Sequence, residues 1–526
     1  MKLYRSFATV GGLTLLSRVL GFLRDIIAAA VLGTGPVADA FYVAFRFPNL
    51  FRRLFGEGAF NSAFVPLFAS KLEGEGREAA RQLASEAMSG LAFIVLLVSA
   101  VCMITMPWLM YLLAPGFAGT PAKFDLAVSL TRITFPYLLC MSLVALLSGV
   151  LNSFGKFVES SSVSIVLNIT LTLAMLLSIW LGYRNDPMAG YIQAWGVFVA
   201  GLLQLAHLLW GIRRSDFWLR LQRPRWTPDM QQLVKLGIPG VIAGGITQVN
   251  ILIGTMIASM QDGAVSHLYY ADRLYELPLA IVGIAIGVVL LPDVSRQLRA
   301  GNMQGVMDSQ NRSLEFAMLL TVPSAVALAV VPSDIVRVLF ERGAFTVRDT
   351  PYTAYALAIF ALGLPSFVLI KVFSPAYFAR QDTTTPMRYA GWSLTANTLG
   401  SIGLFFLFRS LGWMPHLGIA VATTLGGWMN AILLWRGLQR DGHFETDAKL
   451  RNAIPRIIFS SAAMGAALYG MSVLLNPWLE QSSGIAVRFS ALAVLIGTGA
   501  IVYFLCAWAS GALNVNALRS FMRRKS

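Results

Sequence analysis

The chain has 526 residues, of which 56% are hydrophobic and only 13% are charged. Soluble domains are typically about 25% charged, so this composition is that of a membrane protein. The net charge of +15 would suit a nucleic-acid-binding protein, but its distribution along the chain, described next, indicates membrane topology instead. The three cysteines and four histidines are scattered, without the spacing of a metal or redox site.

Apolar stretches of about 20 residues or more predict about fourteen membrane-spanning helices. They lie near 6–33, 38–70, 84–113, 125–153, 160–182, 189–213, 231–260, 265–295, 313–340, 350–379, 386–409, 416–437, 453–476 and 486–512. The first stretch is too long for a cleavable signal peptide and contains Arg18. We therefore predict an all-α, multi-pass membrane protein.

Basic residues are concentrated after the sixth segment, after the twelfth segment and in the C-terminal tail. They include Arg213, Arg214, Arg220, Arg223 and Arg225, then Arg436, Arg440, Lys449, Arg451 and Arg456, then Arg519, Arg523, Arg524 and Lys525. The positive-inside rule places all three groups in the cytoplasm. An even number of spans then places both termini there as well.

The first predicted helix carries polar side chains where a membrane helix normally has none. They are Ser17, Arg18, Arg24 and Asp25. At 100° per residue they fall within one arc of about 120°, and the bulky apolar side chains between residues 14 and 28 lie outside it. An arginine that faces lipid at mid-bilayer costs roughly 3 kcal/mol, so we expect this stripe to face protein or water.

The second predicted helix continues the charged pattern. Helical spacing puts Asp39, Tyr42, Arg46, Asn49 and Arg53 on one face, with Arg52 beside them. Glu57 follows between two glycines, where we expect the helix to bend or to pack closely.

The two halves of the chain resemble each other weakly. Tyr42 and Arg46 align with Tyr269 and Arg273, and further on Asn168 aligns with Asn397. In the second half, Tyr269, Asp272, Arg273 and Glu276 share one helical face. Because six helices separate equivalent points, the copies enter the membrane from the same side, as parallel repeats around a central cleft.

This duplication predicts four regions. Residues 1–213 form an N-lobe of six helices, and 214–230 form a basic cytoplasmic linker. Residues 231–440 form a C-lobe of six helices, and 441–526 contain two further helices and the basic tail.

The interior charges of the first two helices do not balance. Arg18, Arg24, Arg46, Arg52 and Arg53 face only Asp25, Asp39 and Glu57. Unpaired buried cations are costly, so an anionic ligand is expected to complete the balance. A guanidinium group can bind a carboxylate or a phosphate through two parallel hydrogen bonds, and several guanidinium groups together can bind a pyrophosphate. The alternative interpretation is that the charges form internal ion pairs, for example Arg18 with Asp25 or Arg273 with Glu276.

Four segments of the chain carry a family resemblance: SRVLGFLRD at 17–25, ADAFYVAFRFPNLFRRLFGEGAFNSAFVP at 38–66, YYADRLYELP at 269–278 and RQDTTTP at 380–386. These segments resemble the MurJ (MviN) family, whose members are lipid II flippases of the multidrug/oligosaccharidyl-lipid/polysaccharide exporter superfamily. The resemblance implies two six-helix lobes in a V shape and a lipid-tail groove formed by two extra helices. It also implies alternating-access transport of undecaprenyl-pyrophosphate-linked disaccharide pentapeptide across the bacterial inner membrane.

The same resemblance assigns residues. The essential arginines of the family match Arg18, Arg24, Arg52 or Arg53, and Arg273, and its essential aspartate matches Asp39. Ser17, Asp25, Arg46, Glu57, Asp272 and Glu276 are expected to support this cavity. Some members bind Na⁺ through acidic residues, but the corresponding stretches here contain Gln248, Asn250 and Asn397. No cofactor is predicted, and coupling to Na⁺ or to the membrane potential stays open.

Expected partners are lipid II, membrane lipids and other cell-wall synthesis proteins, with no nucleic acid.

The sequence leaves other functions as alternatives. A drug exporter of the same superfamily should have an apolar or acidic cavity, and an exporter of another lipid-linked oligosaccharide would need the same arginines. A membrane enzyme such as a glycan polymerase should have a substantial outer loop with a catalytic acid or histidine, and the outer segments here are short. A scaffold protein that transports nothing would have no need of buried arginines.

Overall fold

A computed structural model of the chain describes the backbone of residues 2–52, 59–480 and 483–513. Side chains are described for 9–50, 63–238, 245, 248–283, 286, 290–480 and 483–513. Within these ranges every regular element is a helix and there is no strand. The predicted all-α class is confirmed.

Eighteen α-helices are present in the described backbone. The first nine are α1 (Lys2–Leu32), α2 (Pro36–Arg52), α3 (Ala59–Gly74), α4 (Arg77–Ile104), α5 (Met106–Leu113), α6 (Pro121–Thr134), α7 (Tyr137–Ser153), α8 (Phe157–Trp180) and α9 (Pro187–Arg213). The others are α10 (Pro228–Ala258), α11 (Ala264–Arg299), α12 (Met303–Val330), α13 (Pro332–Phe340), α14 (Asp349–Phe378), α15 (Thr384–Ser410), α16 (His416–Arg440), α17 (Ala448–Leu479) and α18 (Ile485–Ala509).

The helix bounds follow the predicted segments, with additional breaks. The third, fourth and ninth segments each consist of two helices, and the second contains α2 and α3 on either side of 53–58. Three of these breaks coincide with a proline at the start of the following helix: Pro107, Pro136 and Pro332. Proline lacks the amide hydrogen that would continue the ladder, so it ends one helix and begins the next.

Nine helical segments in the described ranges are long and apolar enough to cross a membrane. Their outward residues include many exposed large apolar side chains, such as Phe93 on α4 and Leu202 on α9. In water these would form an extensive apolar surface, whereas lipid solvates them. The chain is therefore a multi-pass membrane protein.

The chain forms two compact units. The first comprises Met1–Ser266 together with Arg342–Phe345, and the second comprises His267–Glu341 together with Thr346–Ser526. The repeat-based division at 214–230 rests on sequence alignment and stays a prediction.

The core of the first unit depends on close approach of α9 to its neighbours. A Cβ at Gly201 would lie 2.7 Å from the Tyr137 ring, and one at Gly196 would lie 2.9 Å from the Ala174 side chain. Small residues at such positions let membrane helices pack with their backbones close together.

The short segment Arg342–Phe345 packs against the end of α1 within the first unit. The amide of Ala344 donates a 2.9 Å hydrogen bond to the carbonyl of Ala30. Gly33 and Gly343 have φ of +64° and +59°, and a Cβ at either would meet a carbonyl oxygen at 2.5 Å or less. Both positions therefore require glycine.

In the second unit, Arg488 fastens α18 to the C-terminal end of α13. Its guanidinium is buried and donates to the carbonyls of Glu341 (3.2 Å) and Arg337 (2.5 Å). The last carbonyls of a helix lack intrahelical partners and carry partial negative charge, so a cation is favourable there.

Replacing Arg488 with methionine is expected to lower the melting temperature of the purified protein. The loss leaves two carbonyls without their charged donor, at a cost of about 2 kcal/mol for each hydrogen bond. Thermal unfolding in detergent measures the effect. Arg409→Met, at an exposed position near the end of α15, is the control and should melt like the unsubstituted chain. Equal melting temperatures for the two variants would contradict the fastening role.

Candidate functional site

The first charged cluster joins α1 to α8 inside the first unit. Arg24 and Asp25 are both buried. The guanidinium of Arg24 donates through Nε (3.1 Å) and Nη2 (2.7 Å) to Asp25 Oδ1, and through Nη1 to Asn168 Oδ1 (3.0 Å). Asn168 Nδ2 in turn donates to the carbonyl of Ser17 (2.8 Å). The Asp25 carboxylate and the Asn168 amide thus orient the Arg24 guanidinium.

The other residues of the α1 stripe differ in exposure. Ser17 is half-buried and Arg18 is exposed. Among the described residues Arg18 makes neither a hydrogen bond nor an ion pair, and Asp25 pairs with Arg24 instead of Arg18. The reason is position, since Arg18 lies at the edge of the stripe next to the exposed apolar face that contains Leu15 and Val19.

The second cluster centres on Asp39 in the first turn of α2, which is fully buried. Its Oδ2 accepts from Lys123 Nζ (2.8 Å) and from the amide of Gly263 (2.9 Å). Its Oδ1 accepts from the amide (3.0 Å) and the hydroxyl (2.8 Å) of Ser266. Lys123 Nζ also donates to Asp262 (2.9 Å).

Asp39 therefore caps the N-terminus of α11 from another part of the chain. The first amides of a helix have no intrahelical acceptor and carry partial positive charge. A carboxylate that accepts two of them makes charge-assisted hydrogen bonds. Lys123 supplies the neutralising charge, and both side chains of the pair are at most 1% exposed. Breaking a pair of this kind on one side only is strongly unfavourable.

The remaining predicted residues of α2 are described only in part. Arg46 donates through Nη1 to Thr255 Oγ1 of α10. Arg52 belongs to α2 by its backbone, but its side chain lies outside the described residues, as do Arg53 and Glu57 entirely. Their predicted roles stay predictions.

The second unit contains the other predicted arginine. Arg273 Nη1 forms an ion pair with Glu276 Oε2 at 2.8 Å, one turn further along α11. The guanidinium also lies 4.8 Å from the centroid of the Tyr269 ring, in cation–π geometry. Both members of the ion pair are partly exposed, and Asp272 is half-buried. The pairing of Arg273 with Glu276 that the alternative interpretation named is present, and the predicted role of Arg273 in binding substrate stays a prediction.

In the described part of the chain, no three histidine, cysteine or acidic side chains converge as metal ligands. The Asn397 Oδ1 atom accepts from Ser401 Oγ (3.2 Å) and Thr423 Oγ1 (3.4 Å). This arrangement is an interhelical hydrogen-bond network of the kind common in membrane helix packing.

Three residues that contact Arg24 or Asp39 were not predicted from the sequence: Lys123, Asn168 and Ser266. A lysine close to an outer segment is usually a surface residue that extends its amine to water. Asn168 gave only an alignment signal, and a serine in a helix N-terminal turn is common everywhere. Their roles depend on residues 84 or more positions away in sequence, which no local pattern reveals.

A bundle of apolar helices with buried arginine and carboxylate clusters defines the class of polytopic α-helical membrane proteins. Its fold is similar to the inward-facing conformation of a multidrug resistance MATE family transporter of the MOP superfamily. The match has a TM-score of 0.62 at 14% identity and covers 81% of this chain and 95% of the other.

Closer relatives identify the family. The family model for the lipid II flippase MurJ matches residues 28–487, so the chain belongs to that family. It is 47% identical to a probable lipid II flippase MurJ of Rhizobium meliloti (strain 1021), over 100% of this chain and 97% of that protein. It is 35% identical to the probable lipid II flippase MurJ of Vibrio cholerae, over 95% of both chains. A solved lipid II flippase MurJ in an inward closed conformation has a TM-score of 0.77 at 26% identity, covering 95% of this chain and 97% of that one.

Proposed function

We propose that this chain moves lipid II from the cytoplasmic to the outer face of the bacterial inner membrane. The observation that carries the proposal is the match over nearly the whole chain to proteins named lipid II flippase. The buried cationic groups are consistent with it, because a pyrophosphate must cross an apolar barrier in which an uncompensated charge is very costly.

In this proposal the arginines bind the pyrophosphate. Arg24 presents its fork to an oxygen of Asp25, so a phosphate oxygen can take the place of that carboxylate. Arg18 is exposed, so its charge is available to a ligand. Arg273 is partly exposed and can exchange Glu276 for substrate in the same way. Arg52 or Arg53 is proposed to contribute further charge.

The Asp39 cluster is proposed to control access. Asp39 follows the first predicted span, so the predicted topology puts it at the outer side. Its four hydrogen bonds hold the first turn of α11 against α2 and α6. Release of the head group to the outer face would require these bonds to open, and alternating access then corresponds to making and breaking this cap.

The surroundings of the chain are part of the proposal. We place both termini in the cytoplasm and the chain in the inner membrane, since the positive-inside rule sets this orientation. The lipid tail would lie in bulk lipid or along α17 and α18, which expose apolar residues such as Phe459 and Ile501.

The chain acts as a transporter and not as an enzyme, with other cell-wall synthesis proteins as partners. Its driving force would be the membrane potential or a coupling ion.

The test is replacement of the resident flippase in a bacterium that depends on it. When the resident protein is depleted, expression of this chain should restore growth and keep lipid II from accumulating on the cytoplasmic face. The measurement is the amount of each lipid-linked precursor accessible from outside the cell. If growth fails and lipid II accumulates although the chain is abundant in the membrane, the proposal is wrong; accumulation of another precursor would indicate a different lipid-linked oligosaccharide as substrate.

A further inference from the structure

The linker between α9 and α10 is a strap with a defined course, formed by residues 214–227. It runs along α4, where the amides of Arg220 and Gln222 donate to the hydroxyls of Ser85 (3.2 Å) and Ser89 (2.9 Å). Two residues of extended chain span about 6.6 Å. Four residues of α-helix rise about 6.0 Å. The two spacings match, so the strap and the helix are in register.

Both ends of the strap are also fixed. Near its start, the carbonyl of Ser215 accepts from Arg77 Nη2 (2.8 Å), and the Phe217 ring packs edge-on against Phe154 at a centroid distance of 5.0 Å. At its end, Thr227 Oγ1 donates to Glu86 Oε2 (2.8 Å). The side chains that point away from α4 are therefore presented from a fixed backbone.

The outward side of the strap combines arginines with aromatic and aliphatic side chains. Trp218, Leu221 and Trp226 are 55%, 74% and 65% exposed. The arginines are Arg214, Arg220, Arg223 and Arg225, all exposed, against one acidic residue, Asp216. Large apolar side chains at this exposure are unfavourable in water and favourable at a membrane surface.

The level of the strap in the membrane follows from α4 itself. Its exposed apolar residues begin at Phe93, one turn beyond Ser89. One helical turn is about 5.4 Å, so the strap lies beside the edge of the lipid-facing belt. The strap also begins directly after α9, whose last turns expose Trp210. This is the depth of the headgroups, where tryptophan is enriched and where arginine reaches phosphate.

We propose that the outward side of the strap is a binding surface for anionic phospholipid headgroups of the cytoplasmic leaflet. The arginine forks pair with the lipid phosphates, and the tryptophans and Leu221 enter the interface between them. A net negative headgroup is selected because the cationic side chains outnumber the single aspartate. This surface is independent of transport, since none of its residues belongs to the Arg24 or Asp39 cluster.

The experiment uses the purified full-length chain in detergent, with phosphatidylglycerol or phosphatidylcholine titrated in, and native mass spectrometry to measure bound lipid. The unsubstituted chain should bind phosphatidylglycerol more tightly than phosphatidylcholine. This preference should decrease as the salt concentration is raised. The triple variant R220Q/R223Q/R225Q should lose phosphatidylglycerol affinity by roughly a hundredfold, because each basic residue near an anionic surface contributes roughly fivefold.

The matched control is R184Q/R348Q/R409Q, which removes three exposed arginines from the predicted outer side. The control should keep the phosphatidylglycerol affinity of the unsubstituted chain. Equal affinity of the strap variant and the control overturns the proposal, as does equal binding of the two lipids by the unsubstituted chain. If the triple variant melts early, Arg223→Gln alone gives the same test at about fivefold.

Discussion

Replacing Asp39 with alanine is expected to abolish the ability of this chain to support growth and to lower its thermal stability. The substitution removes the acceptor for four donors and leaves Lys123 as a buried cation without its main partner. Removing one member of a buried ion pair typically costs about 3–5 kcal/mol. The second carboxylate near Lys123, that of Asp262, is 79% exposed and is screened by water, so it compensates little.

A double-mutant cycle separates the charge pair from the helix cap. Lys123→Met alone and Asp39→Asn alone should each destabilise the protein, because each leaves one charge of the buried pair without its counterion. Asp39→Asn combined with Lys123→Met removes both charges and keeps an acceptor oxygen for one of the two backbone amides, so the melting temperature should recover in part toward that of the unsubstituted chain. Melting in detergent and membrane abundance are the two measurements.

The activity of the double variant tests the proposed control of access. The cap without its charges holds α11 more weakly, so we expect growth support to stay reduced even where stability recovers. Additive losses in melting temperature would show that Asp39 and Lys123 are not coupled. Full growth with Asp39→Ala would show that the Asp39 cluster is not required for transport.

Within each charged cluster, only the central charged residue could be predicted from the sequence. A charge inside an apolar segment is conspicuous, which is why Arg24, Asp39 and Arg273 were found. Their partners are ordinary residues whose importance arises from tertiary packing, as with Asn168 beside α1. The exposure of Arg18 was equally hidden, because a helical wheel gives direction and not the extent of the neighbouring helix.

The fold was more accessible to sequence reasoning. Segment lengths are set by bilayer thickness, so hydropathy located most helix ends to within about five residues. The exceptions are α4 and α12, which begin at Arg77 and Met303, before the predicted starts at 84 and 313, because their first turns are polar. The breaks inside segments were missed, although prolines such as Pro136 and Pro332 accompany them. Proline is tolerated inside several other helices here, for example Pro365 in α14. Whether it kinks or ends a helix depends on the neighbours that satisfy the freed carbonyl groups.

Replacing Arg24 with alanine is expected to abolish growth support while the protein still reaches the membrane. The loss of hydrogen bonds from a charged donor to pyrophosphate costs about 1.5–3 kcal/mol each, or about tenfold or more in affinity. Arg24→Lys should rescue only in part, because an ammonium group cannot reproduce the fork that contacts Asp25 and Asn168 at once. The measurement is the amount of lipid II that reaches the outer face of the membrane in cells depleted of their resident flippase.

A structural role for Arg24 predicts the same loss from alanine, so a charge-neutral pair is needed to distinguish the two roles. Arg24→Gln with Asp25→Asn removes both charges of this ion pair at once, and both amide side chains can still donate and accept hydrogen bonds. If Arg24 binds pyrophosphate, this variant melts near the temperature of the unsubstituted chain but moves no lipid II. Asp25→Asn alone keeps the cation and should retain part of the activity. Normal growth of the neutral pair would mean that Arg24 serves only to hold α1 against α8. The other proposed arginines would then bind the pyrophosphate without it.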